Sequence, residues 1–279
     1  MSDETYPNSS DSFESVEFVP SDTVRLPVGI EIDGERIRNV VIDEMSGVDD
    51  HNLASKKAGN NGAKGTTIVL SRCIQEVEGL LPAKQNPEKL FDRSLARNMT
   101  VVDRDFLLAK IYQLGGEDEV VMAGTCPRCS TPWEEDMKLS ELEVIEWSDD
   151  DPLELEFELP AGYVHVDESG KKMVHKRGLV RFATGKDQER IAEITNAAQA
   201  FDAMFAACIT KLGDFDSVDQ EMVRRFKSRD RRYLLQFLQM NLPGLRQWKI
   251  VKCSCGREFD ITTDLTAFFD GRRGTEQKR

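Results

Sequence analysis

At 279 residues, with 37 basic and 50 acidic side chains and a net charge of −13, the chain is long enough for two cores. It is too acidic for a broad nucleic-acid footprint or for adhesion to anionic membrane. No stretch approaches the roughly 20 apolar residues that span a bilayer, and the N-terminus lacks the basic-then-apolar pattern of a signal peptide. A cytoplasmic origin is expected, where the six cysteines are reduced or metal-bound rather than bridged.

Residues 1–22 are Ser-rich and acidic (Asp3, Glu4, Asp11, Glu14, Glu17, Asp22) and carry no Lys or Arg. That is the composition of a solubilising tail, in which Phe13, Phe18 and Val19 are the residues able to dock on a partner. A first unit is expected over 23–138. Val24, Leu26 and the run Ile30 to Ile37 read as a hairpin turned by Asp33-Gly34. A helix is expected near Asp49–Lys57, broken by Gly59-Asn60-Asn61-Gly62. A second, from about Lys64, sets Ile68, Val69, Cys73, Ile74, Val77 and Leu81 on one face. Asn86-Pro87 reads as a helix start, and Asp103 as the cap of a helix carrying Phe106, Leu107, Ile111 and Leu114. Cys126-Pro127-Arg128-Cys129, flanked by Val120, Val121, Met122 and Trp133, reads as strand, knuckle and strand.

An acidic connector (Glu141, Glu143, Glu146, Asp149, Asp150, Asp151, then Pro152) occupies 139–154. A second unit is expected over 155–270. It opens with a hairpin from Phe157 to about Phe182, with Asp167-Glu168-Ser169-Gly170 at its tip. A long helix from about Asp187 to Leu212 follows, carrying Ile191, Ile194, Ala198, Phe201, Phe205, Cys208 and Ile209. Ser217-Val218-Asp219-Gln220 has the form of a capping box, a helix led by Asp230 comes next, and a cysteine hairpin spans Trp248–Phe259. Residues 271–279 form a polar, basic tail.

The two units repeat one another. Leu26-Pro27-Val28-Gly29 returns as Leu159-Pro160-Ala161-Gly162, and Cys73-Ile74 as Cys208-Ile209. Asp103-Arg104 returns as Asp230-Arg231, and Cys126-x-x-Cys129 as Cys253-x-Cys255, all in the same order. The expected fold class is α+β, a tandem duplication of a hairpin, helices and a cysteine-knuckle hairpin.

Cys126, Cys129, Cys253 and Cys255 form the strongest chemical constellation. One pair cannot close a tetrahedral zinc site and two pairs can, with sulfurs about 2.3 Å from the ion. Four cysteines leave no position for water or substrate, so a Zn2+ held there is structural and shared between the units. Paired free thiols and a redox dithiol are the competing readings. Cys73 and Cys208 read as small buried hydrophobes. His51, His165 and His175 lack ligand spacing, and the last two are expected as a surface pair. The Gly59–Thr66 stretch fails the phosphate-loop spacing. Arg224 to Arg232 is a basic run, read as a solvated helix face or a contact for an acidic partner.

Beyond these features, the chain carries Leu159-Pro160-Ala161-Gly162-Tyr163, then Arg177 and Val180-Arg181-Phe182-Ala183-Thr184. The helix end Ile209-Thr210-Lys211-Leu212-Gly213, the Asp-Arg-x-Tyr/Phe-Leu-Leu helix and the terminal knuckle follow. In this order of features it resembles tail-assembly and baseplate accessory proteins of contractile-tailed phages and related injection systems. The resemblance covers most of the second unit and, more faintly, the first. It implies a non-enzymatic protein whose partners are other tail or baseplate proteins, located in the bacterial cytoplasm during assembly or retained in the baseplate. A zinc-ribbon regulator of transcription or nucleic acid is the alternative, disfavoured by acidity. A hydrolase or transferase lacks a nucleophile–base pair.

Overall fold

A computed structural model describes residues 22–47, 61–78 and 93–263. The helix expected near Asp49–Lys57, the Asn86-Pro87 start and residues 271–279 lie outside the described residues. The protein is a mixed α+β fold built on separate small sheets. Strands β1 (Asp22–Ile32) and β2 (Glu35–Ile42) form the first hairpin. Asp33 and Gly34 both take positive φ, 52° and 84°, which is the geometry a two-residue turn between twisted strands demands. The register slips between Arg25 and Ile30, across Leu26-Pro27-Val28-Gly29. Pro27 has no N–H to offer the ladder and Gly29 sits at φ 102°, so the strand bulges there.

Helix α1 (Gly62–Cys73) is capped by the Asn61 side chain and runs directly into β3 (Ile74–Val77), which pairs with β2 to give the order β1-β2-β3. The continuous helical face expected through Ile74 and Val77 is therefore wrong. Those residues are β-branched and pair with Ile42 and Val40, a tertiary contact that outweighs the local helical spacing. Helices α2 (Arg93–Asn98) and α3 (Val101–Leu114) follow. Thr100, not Asp103, caps α3: its side chain accepts from the Asp103 amide. The Asp103 carboxylate instead accepts from the bulge amides of Val28 at 2.8 Å and Gly29 at 3.1 Å.

Strands β4 (Glu119–Thr125) and β5 (Pro132–Lys138) make the first knuckle hairpin. The segment after it runs along the first hairpin. The Trp147 amide donates to the Pro27 carbonyl, and the buried Arg38 guanidinium donates to the Trp147 and Ser148 carbonyls and pairs with Asp149 at 2.9 Å. Within it, β6 (Val144–Ile145) is a short strand.

The second half opens with the long strands β7 (Glu154–Val166) and β8 (Lys172–Arg181), whose register slips between Glu158 and Tyr163, across Leu159-Pro160-Ala161-Gly162. The single long helix expected from Asp187 is instead α4 (Gly185–Ile191) and α5 (Ala197–Cys208), followed by β9 (Ile209–Leu212) beside β8. Asn196 starts α5 afresh by accepting from the amides of Ala198 and Gln199. Helix α6 (Gln220–Arg224) is capped by Asp219 rather than by the expected Ser217 box, because Asp219 accepts from the Met222 amide at 2.8 Å. Helix α7 (Ser228–Asn241) places the Asp230 carboxylate on the Ala161 amide at 2.6 Å. Strand β10 (Gly244–Leu245) pairs with β6, and β11 (Trp248–Lys252) with β12 (Glu258–Thr262).

Two apolar clusters form. One gathers Leu26, Ile42, Val69, Leu107 and Ile111, and it also takes in Val251, Phe259 and Ile261 from the C-terminal hairpin. The other holds Phe157, Leu159, Phe205, Leu212 and Leu234. Between them, the Val101 amide donates to the Ala183 carbonyl and the Gly185 amide to the Met99 carbonyl. Glu189 of α4 reaches across this seam. Its carboxylate accepts from Thr67 Oγ1 at 2.6 Å and from Arg97 Nε at 2.9 Å, beside the fully buried Arg104.

Candidate metal centre

The two cysteine hairpins become one four-stranded sheet, ordered β11-β12-β4-β5. The junction is Thr262 against Ala123. Gly124, next to it, lets the strands approach closely, since a Cβ there would lie 3.0 Å from the Asp260 carbonyl oxygen and from Ile261 Cγ2. Trp133 and Phe259 pack edge to face across the sheet, with ring centroids 6.3 Å apart. This joint brings residues about 127 apart in sequence to one end of one sheet.

Each knuckle is a tight turn closed by its own backbone. In the first, the Ser130 amide donates to the Cys126 carbonyl and the Cys126 amide to the Thr131 carbonyl, both at 2.9 Å. In the second, the Gly256 amide donates to the Cys253 carbonyl and the Cys253 amide to the Arg257 carbonyl, both at 2.8 Å. Ser130 (φ 57°) and Gly256 (φ 83°) supply the left-handed residue that each turn needs.

The turns bring all four sulfurs together, within 4.8 Å of one another. Cys126 Sγ lies 3.6 Å from Cys255 Sγ, and Cys129 Sγ 3.5 Å from Cys253 Sγ. Thiolates about 2.3 Å from one tetrahedral ion sit about 3.8 Å from each other. The donor set and its spacing fit a metal ion, and every cysteine expected at the site is in it.

The thiols at the site differ in acidity. Desolvation works against ionising Cys126, but amides of Cys129 and Arg128 outweigh it and lower the thiol. The Thr131 hydroxyl, 3.1 Å from Cys129 Sγ, and then the Thr131 amide hold Cys129 down at about 6. Cys255 behaves oppositely. The Arg257 amide lowers it, yet burial and the three neighbouring thiols push it up to about 12. Were all four ionised they would repel one another, and a cation held among them would remove that conflict. Thr131 was not singled out by sequence reasoning; its place two residues after Cys129, inside the knuckle, was the available signal.

The remaining candidates separate clearly. Cys73 and Cys208 are buried core residues, and burial raises Cys208 to about 11. His165 and His175 do face each other, but His175 is buried rather than exposed, because Phe215 packs against its ring at 5.0 Å. His51 lies outside the described residues. Much of the basic run is neutralised locally. Arg231 and Arg224 pair with the buried Asp202, at 2.6 and 3.6 Å, and Arg225 with Glu221. A cavity of about 350 Å³ lies at the seam, lined by apolar groups such as Val101, Phe182, Met204 and Leu242. Its acid, Asp105, accepts from the Gln247 side-chain amide at 2.9 Å, and Cys208 also lines the cavity. Among the described residues, no helix is long and apolar enough to cross a membrane. In comparisons with known proteins, no family model, curated protein or solved structure matches this chain.

Proposed function

We propose that the protein is a non-enzymatic structural or assembly component of a contractile phage tail or baseplate, or of a related injection system. In this reading it consists of two copies of one unit, held together by a single structural zinc in the Cys126, Cys129, Cys253 and Cys255 site. The observation that carries the proposal is the four-sulfur cluster itself. It takes two ligands from each half, and four cysteines complete a coordination sphere with no position left for substrate. Such an ion fixes surfaces and does no chemistry of its own, so the protein acts through the faces it presents to partners.

The two-copy reading is supported by matched details. In each half the strand bulges at Leu-Pro-x-Gly, and an Asp from a later helix accepts from the bulge backbone, Asp103 from two amides and Asp230 from one. In each half an Asn-capped helix of 12 residues ends in Cys and leads straight into a strand beginning with Ile. The arginine after the Asp also corresponds. Arg104 Nη2 donates to the Ala63 carbonyl at 2.9 Å, and Arg231 Nη2 points to the Ala198 carbonyl at 3.5 Å, each in the first turn of the partner helix.

The tail or baseplate assignment rests on the sequence resemblance at Leu159–Tyr163, Arg177–Thr184 and Ile209–Gly213. It is tested by affinity purification of the tagged chain from cells making the whole particle. Recovery of sheath, tube or baseplate proteins in stoichiometric amounts is expected. Recovery of RNA polymerase, or binding to nucleic acid with a steep salt dependence, would replace this reading with the zinc-ribbon regulator.

A further inference from the structure

The β7–β8 hairpin extends well past its sheet. Strand β9 pairs only with Gly178, Leu179 and Val180, so the outer pairs, from Tyr163–His175 to Val166–Lys172, form a two-stranded arm. One face of the arm is anchored. Tyr163, His165 and His175 pack against Phe215, at 5.9, 5.3 and 5.0 Å between ring centroids. The opposite face is bare. Val164, Val166 and Val174 are 47%, 52% and 54% exposed, and Val164 sits directly across from Val174. Lys172 and Lys176 alternate with Val174 along β8 and so share this face. A Cβ on Gly162 would meet both Val174 and Lys176, which places those side chains together.

Neither lysine has an acidic partner among the described residues. At the tip, Asp167 is occupied by its own turn, accepting from the Ser169 hydroxyl and amide and from the Lys171 amide. The arm is thus packed from behind, while in front it offers valines flanked by Lys172 and Lys176. Strand β7 is also the edge of its sheet among the described residues; the amides of Glu158 and Ala161 already donate to Tyr233 and Asp230, while from Tyr163 to Val166 its outer side has no strand beside it.

We infer that this face of the β7–β8 arm is a docking site for the chain's own N-terminal segment, residues 11–19. The basis is charge and pattern complementarity. Residues 1–21 contain no Lys or Arg, and their apolar groups lie among acids as Phe13-Glu14-Ser15-Val16-Glu17-Phe18-Val19. As an extended strand, this puts Glu14, Val16 and Phe18 on one face and Phe13, Ser15, Glu17 and Val19 on the other. Either face sets carboxylate beside apolar group, the complement of a lysine–valine stripe. Addition along the β7 edge satisfies the backbone while alternate side chains give specificity. Val19 stands three residues before Asp22, a tether of roughly 10 Å, so an arm farther than that from Asp22 is reached on a second copy.

The test is site-specific photo-crosslinking in the full-length chain, with benzoylphenylalanine at position 174 and the products mapped by mass spectrometry. Crosslinks to residues 11–19 are expected, within one chain or between two. The double variant Lys172→Glu, Lys176→Glu should cut their yield about tenfold, since like charges then face one another. Adding Glu14→Lys and Glu17→Lys to that variant should restore it. Circular dichroism and bound metal identical to those of the parent chain establish that the surface changes leave the fold intact. Crosslinks that map elsewhere, for example to a co-purifying protein or to the face of another arm, would overturn the inference. So would a yield that ignores the charge reversal.

Discussion

Replacing Glu189 by Ala probes how the halves are held apart from the metal. Its carboxylate is buried in the seam and serves two donors of the first half. The Thr67 hydroxyl is itself buried, and losing its bond to a carboxylate costs about 1.5–3 kcal/mol. Arg97 is different. Its side chain is 45% exposed and can turn to water, so that ion pair adds no more than about 1 kcal/mol. Arg104, brought down to about 10 by burial, also loses its main compensating charge. The sum is a destabilisation of about 2–4 kcal/mol for Glu189→Ala, and roughly half of that for Glu189→Gln, which keeps an acceptor for Thr67. Urea denaturation at fixed metal concentration, followed by circular dichroism and tryptophan fluorescence, measures it directly. A loss below about 0.5 kcal/mol for Glu189→Ala would refute the view that α4 ties the halves together.

Two further outcomes follow from the same structure. Asp103→Ala should cost about 1–3 kcal/mol by orphaning the Val28 and Gly29 amides, and Asp230→Ala somewhat less, since it leaves one amide, that of Ala161; chemical denaturation of both variants compares them. For Asp187, desolvation raises the carboxyl, but hydrogen bonds from Arg181 and Thr184 outweigh it and hold it below its ordinary 3.8. A depressed carboxylate stabilises the fold fully above its unfolded value, and the contribution is lost as pH falls through the lower folded value. The stability gap between the parent and Asp187→Asn should therefore be flat at neutral pH and close below 3.8, as read by urea midpoints across the acid range.

The sequence was most legible where the chemistry is local. Asp33-Gly34 dictates its turn through two positive φ angles, and Asp167 builds the tip of the second hairpin from hydrogen bonds within five residues. The cysteine pairs announced their knuckles for the same reason. What brings the pairs together was not legible, because it depends on β12 meeting β4 at Thr262 and Ala123. Helix ends failed in the same way in both halves. Ile74 and Ile209 continue a helical spacing, yet each is drawn into a sheet by a strand far away in sequence. Asp103 looked like a cap because Asp is among the short side chains whose oxygen caps helices. Its carboxylate instead serves amides 74 and 75 residues away, and Thr100 does the capping. His175 looked like a surface residue and Glu189 carried no signal, because nothing nearby in sequence foretells Phe215 against the first or Thr67 beside the second.

The most direct measurement is the metal content of the purified chain, by elemental analysis, alongside Cys126→Ser and Cys253→Ser. One zinc per chain in the parent, and loss of that zinc in either variant, is the expected result, since each removes a ligand from the same four-sulfur site. Two ions per chain, or a full equivalent retained when one hairpin's cysteine is replaced, would contradict a single ion clasped by both hairpins.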